Sequence, residues 1–145
     1  MASNDPYNLA RFIEAQSRSI DQACKELQNG RKESHWMWFV FPQLRGLGHS
    51  AMANHYGISS LEEARAYLEH PILGSRLMHC TSLVLMIEGK TIGEIFEEPD
   101  DLKFCSSMTL FAEAGSDNKL FRQALDKYFG AEPDPRTIAR LKGEG

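Results

Sequence analysis

Residues 31–56 bring together side chains that could bind an anionic or planar ligand. The stretch holds three cations, a single acid and both tryptophans of the chain: Arg31, Lys32, Arg45, Glu33, Trp36 and Trp38. Aromatic faces stack on planar groups, while guanidinium, ammonium and amide groups donate charge-assisted hydrogen bonds to anions. The stretch therefore predicts a polar-aromatic site for a small anionic ligand.

A glycine turn follows the aromatic run and adds to the predicted site. Gly46 and Gly48 permit close approach of the backbone, and the N–H groups of a helix capped by Ser50 favour an anion. The candidate ligand-binding residues of this stretch are Lys32, His35, Trp36, Trp38, Gln43, Arg45, Gly46 and Gly48. Two alternatives stay open, because large aromatic residues commonly form the core of a small domain and two glycines can form a plain turn.

Residues 46–51 also match the spacing of a dinucleotide-binding glycine motif. That motif works between the strands and the helix of a parallel sheet, and this sequence offers no convincing second strand. The sequence therefore does not support a Rossmann-type site, and it predicts no cofactor.

A second group of polar residues lies at 97–109, where carboxylates, a lysine and hydroxyl groups follow one another. Its candidate ligand-binding residues are Asp101, Lys103, Ser106 and Ser107. We expect this segment to meet residues 31–56 in one pocket. A structural role is the alternative, because acids suit a helix N-terminus and serine hydroxyls can bond back to helical carbonyl groups.

Helix signals recur along the chain and place both polar groups among helices. Capping residues and apolar spacings of three and four predict helix starts near Pro6, Ser19, Ser50, Ser60, Pro71, Thr91, Pro99, Asp117 and Asp134. We expect the helix after Pro71 to be the most buried, since its apolar face is broad. The pattern predicts an all-α, single-domain bundle of about seven or eight helices over residues 1–145, with an irregular aromatic segment at 36–48.

The composition limits the class of function. The 145 residues carry 16 Lys and Arg against 20 Asp and Glu, and this net charge of −4 argues against nucleic-acid binding. The apolar runs are far shorter than the ~20 residues that span a bilayer, and the N-terminus carries no leader pattern. We expect a cytoplasmic protein with no membrane partner.

The three cysteines, Cys24, Cys80 and Cys105, are widely spaced and form neither a CxxC motif nor a zinc pattern with histidine. Each lies among apolar neighbours at helical spacing, so we expect reduced, buried thiols. The sequence predicts no metal site.

Several blocks of the sequence together resemble one family. They are DPYNL at 5–9, WMWFVFPQL at 36–44, GLG at 46–48 and SSMTLF at 106–111. These blocks are similar to the bacterial family catalogued as domain of unknown function 1810, and the resemblance runs approximately from residue 5 to residue 141. It implies a small, single-domain, mainly helical cytoplasmic protein, and it implies no established activity.

Two functions from different classes fit these observations. The first is binding of a small anionic metabolite, a nucleotide or a sugar phosphate, by a binder or a hydrolase-like enzyme. The alternative is a helical protein-interaction module that uses the exposed part of residues 36–41. A pocket with Arg45, Lys103 and hydroxyl groups pointing inward favours the first function, and a flat apolar patch favours the second.

Overall fold

The computed structural model describes residues 5–143, and this part of the chain contains ten helices. Their bounds are α1 Ala10–Ser17, α2 Ile20–Gln28, α3 Met37–Val40, α4 Ala51–Tyr56, α5 Leu61–Glu69, α6 Leu73–Met86, α7 Ile92–Ile95, α8 Asp100–Ala114, α9 Lys119–Phe129 and α10 Pro135–Leu141. The all-α prediction is confirmed. The structure has two or three helices more than the seven or eight expected, and the helix for which no start was predicted is α3, a four-residue helix inside the segment expected to be irregular.

Helix α8 lies at the centre of the bundle, packed against α5, α7, α9 and α10. Ten of its fifteen residues are buried. The prediction that the helix after Pro71 is the most buried is wrong, because only six of the fourteen residues of α6 are buried. One side of α6 faces solvent with Ser75, His79 and Met86. Among residues 5–143, no helix has the length and apolar character needed to cross a membrane.

Residues 36–48, which were predicted to be irregular, contain the short helix α3 followed by an extended segment. Trp36, Phe39 and Phe41 are buried, and the Phe41 ring stands edge-on to Phe104 with centroids 5.0 Å apart. After α3 the chain extends and forms a parallel bridge with the segment that follows α4. Most of the aromatic run is therefore core, which is the alternative that the sequence left open.

Side-chain caps fix several helix starts as predicted. Four residues accept a hydrogen bond from the backbone N–H three positions ahead: Ser50, Ser60, Thr91 and Asp134. The start near Pro6 is wrong by one turn, because α1 begins at Ala10 and Asp5 receives the N–H groups of Leu9 and Ala10. Ser19 precedes α2 but makes no side-chain cap bond.

Candidate functional site

Three arginines from three separate elements line one cleft of about 620 Å³, which we call the arginine cleft. Arg45 lies in the segment between α3 and α4, Arg65 on α5, and Arg140 on α10. Among the described residues that line the cleft, Glu62 is the only acid. The remaining lining residues are Leu44, Ser59, Ser60, Leu61, Leu141 and Gly143.

Arg45 is held in place by the parallel bridge between Leu44 and Ile58. Its backbone N–H donates to the Ile58 carbonyl at 2.8 Å, and its guanidinium donates to the Gly57 carbonyl at 3.1 Å. A Cβ at position 57 would overlap the backbone of Arg45, so the bridge requires glycine there. The guanidinium is thus anchored through one nitrogen at the edge of the cleft.

Arg140 fastens α10 to the glycine turn. Its Nε donates to the Arg45 carbonyl at 2.9 Å, and its guanidinium occupies the space that a Cβ on Gly46 would fill. The start of α10 is fixed in turn by Asp134, whose carboxylate receives the Thr137 backbone N–H at 3.1 Å and the Ser106 hydroxyl at 3.0 Å. Helix α8 therefore positions one side of the arginine cleft through α10.

Arg65 reaches from α5 to the end of α8, where its Nε donates to the Ala114 carbonyl at 3.2 Å. Within residues 5–143, neither Arg65 nor Arg45 forms an ion pair, and the two Nη groups of Arg65 make no hydrogen bond. Guanidinium groups with open donors bind carboxylate and phosphate oxygens in a forked geometry. The cleft can therefore hold an anion between Arg45 and Arg65.

The predicted lysines and tryptophans meet in a different place. Lys32 Nζ lies 2.8 Å from Asp100 Oδ2, and Lys103 Nζ lies 3.6 Å from Asp100 Oδ1. Lys103 also lies over the Trp38 ring, 4.8 Å from its centroid, and Lys32 lies 5.3 Å from the Trp36 centroid. The structure thus brings parts of residues 31–56 and 97–109 into contact, but Asp100 already neutralises part of the charge of this group.

Little room for a ligand exists beside Trp38. The cavity that Trp38 lines with Gln43 and Gly48 has a volume of about 10 Å³. A water molecule needs about that much space, so no metabolite fits there in this conformation. Trp36 is buried, and its indole N–H donates to Glu26 at 2.9 Å.

The other candidate residues lie outside the arginine cleft. The Ser106 hydroxyl donates to Asp134 at the start of α10 and also lies 3.1 Å from the Leu102 carbonyl. These contacts give Ser106 a structural role, which was the alternative to ligand binding. Ser107 is fully buried, and its hydroxyl has no hydrogen-bond partner among the described residues. Asp101 receives the N–H of Leu102, and His35 is exposed.

Of the twelve candidate residues, Arg45 alone lines the arginine cleft. Gly46 lies next to the cleft, where the absence of a side chain leaves room for the Arg140 guanidinium. Sequence reasoning missed Arg65 and Arg140 because they are far apart along the chain and sit in unremarkable helices. Their convergence depends on how α5 and α10 pack, and no local spacing encodes that packing.

The aromatic surface that the protein-interaction alternative needs is small. Trp36, Phe39 and Phe41 are each at most 6% exposed, so Trp38 is the partly exposed aromatic residue of residues 36–41. Lys103 covers one face of its ring. Among the residues described, no group of three or more His, Cys, Asp and Glu side chains could hold a metal ion.

Comparison with known proteins gives a family and a similar solved structure. A family model described as "Protein of unknown function (DUF1810)" matches residues 6–141. The chain is similar to the crystal structure of the conserved hypothetical protein Rv1873 from Mycobacterium tuberculosis, with 57% sequence identity and a TM-score of 0.94. That match covers 95% of this chain and 99% of the other. A comparison with curated proteins gave no match.

Proposed function

The chain belongs to the DUF1810 family, whose description gives no activity, and from the geometry of its own cleft we propose that it binds a small anionic metabolite. The ligand class is a phosphate-bearing compound such as a nucleotide or a sugar phosphate. The observation that carries the proposal is the convergence of Arg45, Arg65 and Arg140 on one cleft with Glu62 as its described acid.

The chemistry of the cleft supports an anion. Arginine presents a rigid set of N–H donors that matches phosphate and carboxylate oxygens, and a charge-assisted hydrogen bond is stronger than a neutral one. Ser59 and Ser60 also line the cleft. The Ser59 hydroxyl donates to the Glu63 carboxylate at 2.7 Å, whereas the Ser60 oxygen accepts from the Glu63 backbone N–H and keeps its own proton for an anion. Its volume of about 620 Å³ lies within the range of roughly 300–1,000 Å³ that is common for small-molecule sites.

The charge distribution also favours specific binding in the cleft over general attraction of anions. The whole chain carries a net charge of −4, so the rest of its surface repels polyanions. Among the described residues of the cleft, arginine outnumbers acid, and this local excess favours an anion small enough to enter the cleft. Binding should weaken as salt concentration rises, because the cleft is open to solvent screening.

We propose binding without a reaction. The described lining contains one carboxylate, Glu62, and no histidine or cysteine that could form a nucleophile and base pair. The predicted hydrolase-like activity has no residue set in this cleft to perform it.

Calorimetric titration with inorganic phosphate tests the proposal. Arg45→Ala should weaken phosphate binding roughly ten- to a hundredfold, the effect of losing a charged hydrogen bond of about 1.5–3 kcal/mol. The fold should tolerate this change, because the Gly57 carbonyl keeps its 3.1 Å hydrogen bond from Arg11.

The matched control is Arg31→Ala, which removes the same charge from an exposed arginine that is paired with Glu97. It should leave the phosphate affinity unchanged. Thermal unfolding of both variants separates lost binding from lost folding. Equal affinity in wild type and Arg45→Ala, or affinity lost only in step with stability, would refute the proposal.

A further inference from the structure

A second cleft adjoins the arginine cleft and shares Arg65 with it. It has a volume of about 500 Å³ and lies between the α5–α6 junction and the end of α8. Its acids are Glu69 and Asp117, and Arg65 is its only arginine or lysine among the described lining residues. We call it the acidic cleft.

Arg65 stands at the boundary of the two clefts. Its side chain crosses from α5 to the Ala114 carbonyl, which belongs to the wall of the acidic cleft, while the same residue lines the arginine cleft. Because the Nη groups make no hydrogen bond to residues 5–143, they can donate to an anion placed at this boundary. One ligand could therefore contact Arg65 and extend into both clefts.

The acidic cleft offers the groups that bind sugar hydroxyls. Carboxylates of Glu69 and Asp117 accept hydrogen bonds from hydroxyl groups, and the hydroxyls of Ser75 and Ser116 can donate or accept. Met78 adds an apolar surface for the C–H face of a sugar ring. The described lining holds no phenylalanine, tyrosine or tryptophan on which a planar base could stack.

His70 contributes one donor to this lining. Its Nδ1 accepts the backbone N–H groups of Ile72 and Leu73 at 3.1 and 3.3 Å. In the neutral imidazole the proton is then on Nε2, which makes that atom a hydrogen-bond donor. His70 lines the acidic cleft, where such a donor suits a sugar oxygen.

We propose that the two clefts form one bipartite site for a phosphorylated sugar. The phosphate binds in the arginine cleft beside Arg65 and Arg45, and the sugar hydroxyls bind in the acidic cleft, where Asp117 accepts from them. This inference rests on the proposed function, because the arginine cleft must hold the anion. It adds the chemical class of the uncharged part of the ligand.

Titration with two probes, ribose 5-phosphate and inorganic phosphate, tests the inference. Wild type should bind ribose 5-phosphate at least tenfold more tightly than inorganic phosphate. Asp117→Asn should reduce that advantage severalfold, because an amide oxygen is a weaker hydrogen-bond acceptor than a carboxylate, and it should leave the affinity for inorganic phosphate unchanged. Arg45→Ala should weaken the binding of both probes.

Asp126→Asn is the matched control, since Asp126 is an exposed acid on α9 that lines neither cleft. It should bind both probes as wild type does. Asp117 is also exposed and takes part in no hydrogen bond between described side chains, so thermal unfolding should show that Asp117→Asn folds normally.

The outcomes distinguish this inference from the proposed function. Equal affinity for the two probes, with no effect of Asp117→Asn, overturns the bipartite site but leaves the proposed function intact if Arg45→Ala still weakens phosphate binding. Failure of wild type to bind either probe overturns both. Adenosine 5′-monophosphate serves as a third probe, and binding tenfold tighter than that of ribose 5-phosphate would overturn the assignment to a sugar in favour of a nucleotide.

Discussion

The guanidinium of Arg140 lies against the backbone of Gly46, in the space that any larger residue at position 46 would fill. Gly46 has a φ of +100°, a conformation that glycine adopts without strain. The Arg140 Nε donates to the carbonyl of the neighbouring Arg45 at 2.9 Å. Two arginines of the arginine cleft are therefore positioned by one contact between α10 and the glycine turn.

Gly46→Ala should displace Arg140 and strain the turn. The backbone cost of a left-handed alanine is about 1–2 kcal/mol, and displacing the exposed Arg140 guanidinium removes one hydrogen bond worth about 0.5–1.5 kcal/mol, so we expect a total loss of about 1.5–3.5 kcal/mol of unfolding free energy. Urea unfolding measures this loss. Phosphate titration of the same variant should show weaker binding.

Gly89→Ala is the control for the backbone term. Gly89 has a φ of +75°, and nothing lies within 4 Å of a Cβ built there. That variant should lose only about 1–2 kcal/mol. If the two variants lose the same stability, the contact between Gly46 and Arg140 does not hold α10 in place.

The buried carboxylate of Glu26 accepts hydrogen bonds from the loop that follows α2. Its oxygens receive the backbone N–H groups of Glu33 and Ser34, the Ser34 hydroxyl, the Trp36 indole N–H and the Gln22 amide, at 2.5–2.9 Å. Burial by itself would raise the pKa of Glu26. The hydrogen bonds from Ser34, Glu33 and Gln22 outweigh burial and lower the pKa to about 2, from an ordinary value of 4.5.

Glu26→Gln should change how stability depends on pH. A carboxylate whose pKa is lower in the folded state stabilises that state above pH 4.5, and the contribution disappears as pH falls toward 2. We expect the variant to lose roughly 2–4 kcal/mol at pH 7 and to approach wild type near pH 2–3. Urea unfolding at pH 7, 5 and 3 measures the difference.

The control for this pH series is Glu14→Gln, since Glu14 is an exposed acid on α1. Its effect on the free energy of unfolding should be small, because the Glu14 side chain is exposed to solvent. A difference between Glu26→Gln and wild type that stays constant from pH 7 to pH 3 would show that the charge of Glu26 does not stabilise the fold.

The sequence predicted helix starts well where one side chain and one turn decide them. Ser50 and Thr91 cap their helices because the donor lies three residues away along the chain. The start near Pro71 is less accurate, since α6 begins at Leu73 and His70 receives two N–H groups of its first turn. Histidine is not among the usual capping residues, so the sequence gave no sign that His70 would cap α6.

The arginine cleft could be predicted only in part, and the reason is sequence distance. Arg45 stands beside the glycine turn, and its charge and position made it a candidate for anion binding from the sequence alone. Arg65 and Arg140 join it through the packing of α5 and α10. The burial of Trp36 could not be predicted for a related reason, because its indole contacts Glu26 of α2 and the ring of Phe96, which follows α7.

Arg11 and Glu63 form a buried ion pair at 2.8 Å between α1 and α5. The Arg11 guanidinium also donates to four backbone carbonyls, those of Tyr7, Asn8, His55 and Gly57. Removing one partner of a buried pair leaves an uncompensated charge, so Arg11→Met should cost about 3–5 kcal/mol of unfolding free energy. Urea unfolding at neutral pH measures this cost.

An exposed ion pair on the same protein supplies the comparison. Arg122 lies 3.2 Å from Glu113, with both side chains more than a third exposed. Arg122→Met should cost at most about 1 kcal/mol, because solvent screens the pair. Similar costs for the two variants would mean that the pair between α1 and α5 does not hold the N-terminal helix to the bundle.

The cysteines should react slowly with a thiol reagent in the native protein. Burial raises the pKa of Cys105 to about 11, with a further contribution from the nearby Asp134 carboxylate. Burial also raises the pKa of Cys80, and the adjacent Cys24 thiol raises it further. The expectation of three buried thiols is too strong for Cys24, which is only partly buried.

Variants that keep one cysteine each, with serine at the other two positions, should separate these cases at pH 7. Cys80 and Cys105 should label only as fast as the protein opens, because the thiolate is the reactive form and little of it exists in the fold. Cys24 should label faster than either but more slowly than an unfolded thiol. After denaturation in urea, all three should react at the same rapid rate.

A native cysteine that reacts faster than its unfolded form would have an activated thiolate, and that result would add a nucleophile to a protein for which we propose binding alone.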